Sequence, residues 1–253
     1  MKVRELQEGR RGWAWWIAVA IVKPTLLATT RHRWIDGEKL PAHGGFMLVA
    51  NHISEVDPLI VAHLVWDHGR IPRYLAKSGL FRNRFLGFFL KAAGQIPVFR
   101  ASRDAVGAYD AAVAAVRDGK CVVVYPEGSI TRDPDLWPMT AKSGAARIAL
   151  ATGCPVVPVG QWGAQRVLAP YARRPHLVPR SMITMKVGDP IDLSDLVARE
   201  HTPAVIAEAT SRIMDELTVL VSDLRGEPAP PERFDPRARG VAEFGNPNKE
   251  GRR

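Results

Sequence analysis

The run Phe46-Met47-Leu48-Val49-Ala50-Asn51-His52-Ile53-Ser54-Glu55-Val56-Asp57-Pro58-Leu59 decides the fold. Its first five residues are apolar without alternation, the pattern of a strand buried on both faces. Asp57-Pro58 has the form of a helix start. A carboxylate caps, and proline takes the first helical position, where its missing N–H removes no helical bond. Pro58 to Trp66 then continues as an apolar helix. His52 sits on the turn between, where a rigid scaffold can display a reactive group.

The same alternation runs outward from this unit. Trp34 to Gly45 reads as a short strand and turn, and Arg73 to Lys77 as a second core strand. Further strands are expected at Gly94–Arg100, Cys121–Tyr125, Cys154–Gly160 and Ser181–Val187. Helices are expected over Ser78–Ala93, over Ser102–Asp118 with Ser102 as cap, from Lys142 onward, and over Pro203–Leu224. Strands alternating with helices imply an α/β sandwich: a mainly parallel central sheet flanked by helices.

His52 and Asp57 are five positions apart, a spacing that one helix would not align on a single face. A strand-to-helix turn can bring them together. The carboxylate then holds one imidazole nitrogen and leaves the other as a base toward substrate. This is the base-plus-orienter half of a catalytic triad, and it is complete when the substrate supplies the hydroxyl. The bland alternative is a surface or capping pair.

The chain has 253 residues, enough for one domain with small additions. Its net charge of +9 favours anionic partners: a membrane surface, a phosphorylated substrate, coenzyme A or nucleic acid. Two cysteines, Cys121 and Cys154, form no disulfide framework and no Cys-x-x-Cys pair, so no metal site is expected. No P-loop and no glycine-rich dinucleotide fingerprint is present.

Near the N-terminus, Trp13 to Val22 is an uninterrupted apolar run of ten residues, short of the roughly 20 that span a bilayer. Tryptophans beside arginines suit the lipid–water interface. The segment is therefore expected to be an interfacial helix, kinked or ended near Pro24, with a core helix as the alternative. Residues 1–33 are assigned to membrane association, 34–225 to the main domain, and 226–253, rich in Pro, Gly and charge, to a flexible tail.

Four blocks in order carry a resemblance. Asn51-His52 followed by Asp57 resembles the NHxxxxD motif of the glycerolipid acyltransferases. Gly94-Gln95-Ile96-Pro97-Val98-Phe99-Arg100 resembles their second motif. Pro126-Glu127-Gly128-Ser129-Ile130-Thr131-Arg132 resembles the third, and Val157-Pro158-Val159 the fourth. The likeness covers roughly Phe46 to Val159. It implies transfer of a fatty acyl group from acyl-CoA or acyl carrier protein to the sn-2 hydroxyl of lysophosphatidic acid, at the cytoplasmic face of a membrane. No cofactor or nucleic acid is implied, and the acyl carrier is a co-substrate. His52 is then the base and Asp57 its orienter.

Arg100 is associated with the acceptor's phosphate, where a guanidinium makes a bidentate contact. Lys142, at a helix start, is a second candidate for phosphate. Ile130 departs from the family, which usually has Arg there, and Arg132 two places on is the substitute cation. Glu127 has two readings: a partner for acceptor hydroxyls or nearby cations, or a structural carboxylate on loop N–H groups. Gly128 is expected to permit tight backbone passage. Outside the acyltransferases, a serine hydrolase using Ser54 or Ser129 lacks a Gly-x-Ser-x-Gly elbow, and a non-enzymatic basic binding module leaves the four blocks unexplained.

Overall fold

A computed structural model describes residues 12–98, 104–243 and 245–246. Seven strands form one sheet in the order β1-β7-β6-β2-β5-β3-β4. They are β1 (Thr30–Ile35), β2 (Phe46–Ala50), β3 (Pro72–Lys77), β4 (Ile96–Val98), β5 (Cys121–Val124), β6 (Val156–Trp162) and β7 (Ser181–Val187). β6, β2, β5, β3 and β4 run parallel to one another. β7 pairs antiparallel with β6, and β1 pairs parallel with β7, so these two run against the rest.

The apolar run 46–50 proves to be a strand covered on both sides. Met47 and Val49 point into one core, with Val122 and Val124 beside them. Phe46, Leu48 and Ala50 point into the other, with Cys121 and Val123. The period of two is present but hidden, because both faces are dry. The first core is closed by α4 (Asp104–Arg117), α5 (Gly144–Thr152) and α8 (Pro203–Arg225). The second is closed chiefly by α2 (Asp57–Asp67). Gly45 lets α4 approach β2, since a Cβ there would lie 1.8 Å from the Val116 carbonyl oxygen.

The N-terminal helix α1 (Trp13–Thr29) runs through Pro24 rather than ending there. Its buried side is pinned by Trp15, which stacks on Trp66 with ring centroids 6.1 Å apart and donates its indole N–H to the Ala93 carbonyl at 3.0 Å. A second anchor lies further along. Lys23 Nζ is 2.7 Å from Asp67 Oδ1, and the Trp34 indole N–H reaches Asp67 Oδ2 at 3.1 Å. The boundary expected at residue 33 falls inside β1, which begins at Thr30 and is sheet rather than membrane segment. No helix among the described residues is long and apolar enough to cross a membrane.

The helix expected over 78–93 divides in two. A 3-10 turn, Ser78–Arg82, is followed by α3 (Arg84–Ala92), which Asn83 caps by accepting the Phe85 and Leu86 N–H groups at 3.1 Å. Phe85, Leu86 and Phe88 are exposed rather than packed in the core. Two short helices were not expected, α6 (Ala164–Val167) and α7 (Ser194–Val197). The Ser102 cap lies outside the described residues. The segment after Gly226, expected as a flexible tail, makes specific contacts as far as Gly245: Thr140 N–H bonds the Phe234 carbonyl at 3.0 Å, and Arg132 Nη2 bonds the Gly245 carbonyl at 2.8 Å.

Candidate active site

The turn after β2 brings His52 and Asp57 together. His52 Nδ1 lies 2.8 Å from Asp57 Oδ2. Asp57 is fully buried, and the same oxygen accepts the backbone N–H groups of Ile53 at 2.7 Å and Ser54 at 2.8 Å. The expected forward cap does not form: the side chain makes no capping bond into α2 and folds back onto the turn. Since the carboxylate accepts, Nδ1 carries the proton and Nε2 is left with its lone pair. His52 is partly exposed and lines a cavity of about 850 Å³.

That cavity is within the about 300–1,000 Å³ range of small-molecule sites. Its walls are apolar and come from α1, α2, the 3-10 turn and α3, through residues such as Ile21, Val22, Leu59, Leu80 and Leu90. His52, Tyr125, Gly128 and Lys142 line the same cavity. A mostly apolar cavity thus takes in the His52 imidazole and the Lys142 ammonium among its few polar lining groups.

The third block holds His52 in place. Glu127 is buried; Oε1 accepts the His52 N–H at 2.8 Å and Oε2 the Met139 N–H at 3.0 Å. Thr131 N–H donates to the His52 carbonyl at 2.8 Å. The backbone of His52 is thus gripped from both sides by one loop, and the structural reading of Glu127 matches the geometry. Burial pushes the Glu127 carboxyl up to about 8, against the two backbone N–H bonds, which favour the carboxylate. Gly128 turns at φ 74°, and a Cβ there would meet Lys142 Cγ at 3.3 Å.

Lys142 lines the cavity, and its ammonium is 2.6 Å from Glu243 Oε1. Arg132 does not line the cavity. Its guanidinium lies over the Tyr171 ring, 4.5 Å from the centroid. Ile130 is buried. Arg100 lies outside the described residues. Neither serine has the setting of a nucleophile: Ser54 Oγ donates to the Leu168 carbonyl at 2.7 Å, and Ser129 Oγ to the Glu243 carbonyl at 3.0 Å.

Three features escaped the sequence. Tyr125 stacks on the His52 ring with centroids 4.3 Å apart, giving the imidazole a flat support. Gln161 and Asn51 grip each other: Gln161 N–H donates to Asn51 Oδ1 at 2.8 Å, Gln161 Nε2 to the Asn51 carbonyl at 2.6 Å, and Asn51 Nδ2 to the Gln161 carbonyl at 3.1 Å. No local pattern signals a pair 110 residues apart. Glu243 is the third. A separate trio, His32, His63 and Asp67, has ligand-type atoms within 4.8 Å of one another. Lys23 and Trp34 already occupy both Asp67 oxygens. Burial pushes the Asp67 carboxyl up, but those two hydrogen bonds outweigh it and hold it below its ordinary value. Burial drives His63 down to about 4, so its ring is neutral. The trio is an anchor for α1.

The Acyltransferase family model matches residues 32–162, more than half of the chain. This chain belongs to the acyltransferase family. The match contains the His52 turn, the Glu127 loop and β6. A Bacillus subtilis 1-acyl-sn-glycerol-3-phosphate acyltransferase is 26% identical over 184 residues, covering 70% of this chain and 84% of that protein. One from Borreliella burgdorferi is 32% identical over 123 residues, 48% of this acyltransferase and 47% of its relative. The fold is shared with the crystal structure of the 1-acyl-sn-glycerophosphate (LPA) acyltransferase PlsC from Thermotoga maritima. The TM-score is 0.62 at 22% identity, over 84% of this chain and 83% of that one.

Proposed function

We propose that this acyltransferase moves a fatty acyl group from acyl-CoA or acyl carrier protein to the sn-2 hydroxyl of 1-acyl-glycerol-3-phosphate, giving phosphatidic acid for phospholipid synthesis. The observation that carries the reading is the His52–Asp57 pair, 2.8 Å apart, at the end of an apolar cavity. The names of the relatives support the same acceptor.

His52 Nε2 takes the proton of the sn-2 hydroxyl as that oxygen attacks the thioester carbonyl. Asp57 holds Nδ1–H, fixes the tautomer and stabilises the imidazolium. The C–S bond then breaks, the thiolate leaves, and the imidazolium returns the proton to it. The enzyme donates no nucleophile, and a thiolate is a good enough leaving group to need no cofactor. The acyl chain occupies the slot walled by α1, α2 and α3. Glu127 and Gly128 shape the loop that fixes His52, and Lys142 receives the acceptor's phosphate. Arg100 follows β4 and is assigned to the same phosphate; Arg132 is the weaker candidate, since it is turned to Tyr171.

The slot is lined in part by α1 and α3, whose outer sides carry Trp13, Trp16, Phe85 and Phe88 exposed to solvent. Exposed aromatic and aliphatic side chains on a chain of net charge +9 suit an anionic lipid surface. We assign the protein to the cytoplasmic membrane face as a peripheral or monotopic enzyme.

The test is acyl transfer from radiolabelled palmitoyl-CoA to lysophosphatidic acid in vesicles, comparing wild type with His52→Ala. Turnover in the wild type and its loss in the variant are expected. Equal turnover in both would sink the mechanism. A second reading changes only the acceptor, to another lysophospholipid or a glycolipid. It rests on buried Ile130 and on the direction of Arg132, and a panel of acceptors separates the two.

A further inference from the structure

The segment after α8 returns to Lys142, which lines the cavity. It is fastened by an ion pair between Arg233 and Asp215 and by the Thr140 N–H to Phe234 carbonyl bond at 3.0 Å. It delivers Glu243 to Lys142. There, two cations converge on one carboxylate oxygen: Lys142 Nζ lies 2.6 Å from Glu243 Oε1, and Arg237 Nε lies 2.5 Å from the same atom. Ser129 Oγ holds the Glu243 backbone carbonyl at 3.0 Å. The two cations keep the Glu243 carboxyl below its ordinary value. Next to this contact, Arg132 bonds the Gly245 carbonyl through Nη2, while its buried Nε and Nη1 have no hydrogen-bond partner among the described residues. A buried guanidinium with two open donors adds to a field that attracts anions.

We propose that Glu243 occupies the seat of a substrate phosphate monoester, and that Lys142 and Arg237 hold that phosphate once it displaces the carboxylate. This rests on the reading of the enzyme as one whose acceptor carries a phosphate. Arg237 lies outside the matched residues 32–162. The C-terminal segment thus supplies both a competitor, Glu243, and a cation, Arg237, for the anion that enters. A carboxylate offers one negative charge and a phosphate monoester nearly two, with three acceptor oxygens. The exchange therefore favours the phosphate. A choline-capped phosphodiester, with one charge and a bulky cation attached, gains much less. The pair of cations would select acceptors by their terminal phosphate.

The experiment titrates inorganic phosphate into the full-length protein at fixed ionic strength, using wild type, Glu243→Gln, and Glu243→Gln combined with Arg237→Ala. Removing the competing charge should tighten phosphate by about three- to tenfold, the range of a charge-assisted contact at a partly exposed site. Adding Arg237→Ala should cancel that gain. Unchanged phosphate affinity in Glu243→Gln, or a double variant as tight as the single one, overturns the proposal. A lipid arm separates the sources of phosphate. The KM for lysophosphatidic acid should fall by a similar factor in Glu243→Gln, while that for lysophosphatidylcholine falls much less. If inorganic phosphate tightens and the lysophosphatidic acid KM does not move, the seat serves free phosphate and the acceptor half is overturned. No turnover of any lipid would sink the acyl-transfer reading alone, because the phosphate titration judges the seat without it.

Discussion

Asp57 Oδ2 accepts three donors: His52 Nδ1 and the N–H groups of Ile53 and Ser54. The turn and the placement of the His52 ring are therefore set by one atom. Asp57→Asn keeps the size but sets an amide where a carboxylate orients the imidazole. Its kcat for acyl transfer should fall by about 10³-fold or more, with a smaller change in KM, as when a triad carboxylate is lost. Steady-state kinetics on purified protein check this. Tyr125 stacks on the His52 ring, and its replacement by Ala should cost about 3–5 kcal/mol of stability together with activity. Denaturant unfolding measures the first part. Tyr125→Phe keeps the ring and should retain both.

Helices α1 and α3 meet through Trp13, which stacks on Phe88 at 5.7 Å and meets Phe89 edge-on at 6.2 Å. One side of this pair is fixed to the domain through Trp15, and the other shows Phe85, 90% exposed. The two sides separate binding from folding. Phe85→Ser should lower partition onto anionic vesicles by about three- to tenfold, since the ring loses part of its about 1.5–3 kcal/mol of burial. The thermal midpoint should not fall. Trp15→Ala should do the opposite, costing about 3–5 kcal/mol of stability. Vesicle sedimentation and thermal unfolding on the same variants distinguish the two effects. The sequence placed an interfacial helix only at the N-terminus. It left α3 as core or pocket wall, because clustered apolar residues look the same in a core and on an exposed side.

Across the whole molecule, two buried groups set opposing limbs of the stability curve. His63 is neutral when folded, with its value lowered from 6.5 to about 4. The unfolded chain binds a proton there first, so this contribution is present above pH 6.5 and lost as pH falls toward 4. Glu127 is raised from 4.5 to about 8. The folded chain keeps a proton that the unfolded chain releases, so this contribution is present below pH 4.5 and lost as pH rises toward 8. Above pH 6.5 only the Glu127 limb acts. The thermal midpoint of wild type relative to Glu127→Gln should fall between pH 6.5 and 8, and that relative to His63→Phe should fall on acidification below 6.5. A flat difference in either scan would show that the group does not titrate as described.

The sequence by itself determined most of the strands, most of the long helices and the pairing of His52 with Asp57. Apolar runs, Pro58 and Pro203 act through neighbours a few residues away, and His52 to Asp57 is closed by one turn, so local chemistry suffices. It did not determine the direction of β7, the back-folded use of Asp57 or the exposure of α3. The Asn51–Gln161 clamp, the grip of Glu127 on His52 and the return of Glu243 to Lys142 join atoms 110, 75 and 101 residues apart. Such pairs leave no periodicity in the chain. They exist only once the sheet has brought the ends of β2, β5 and β6 to one side, which is why tertiary structure alone decided what surrounds the His52 ring.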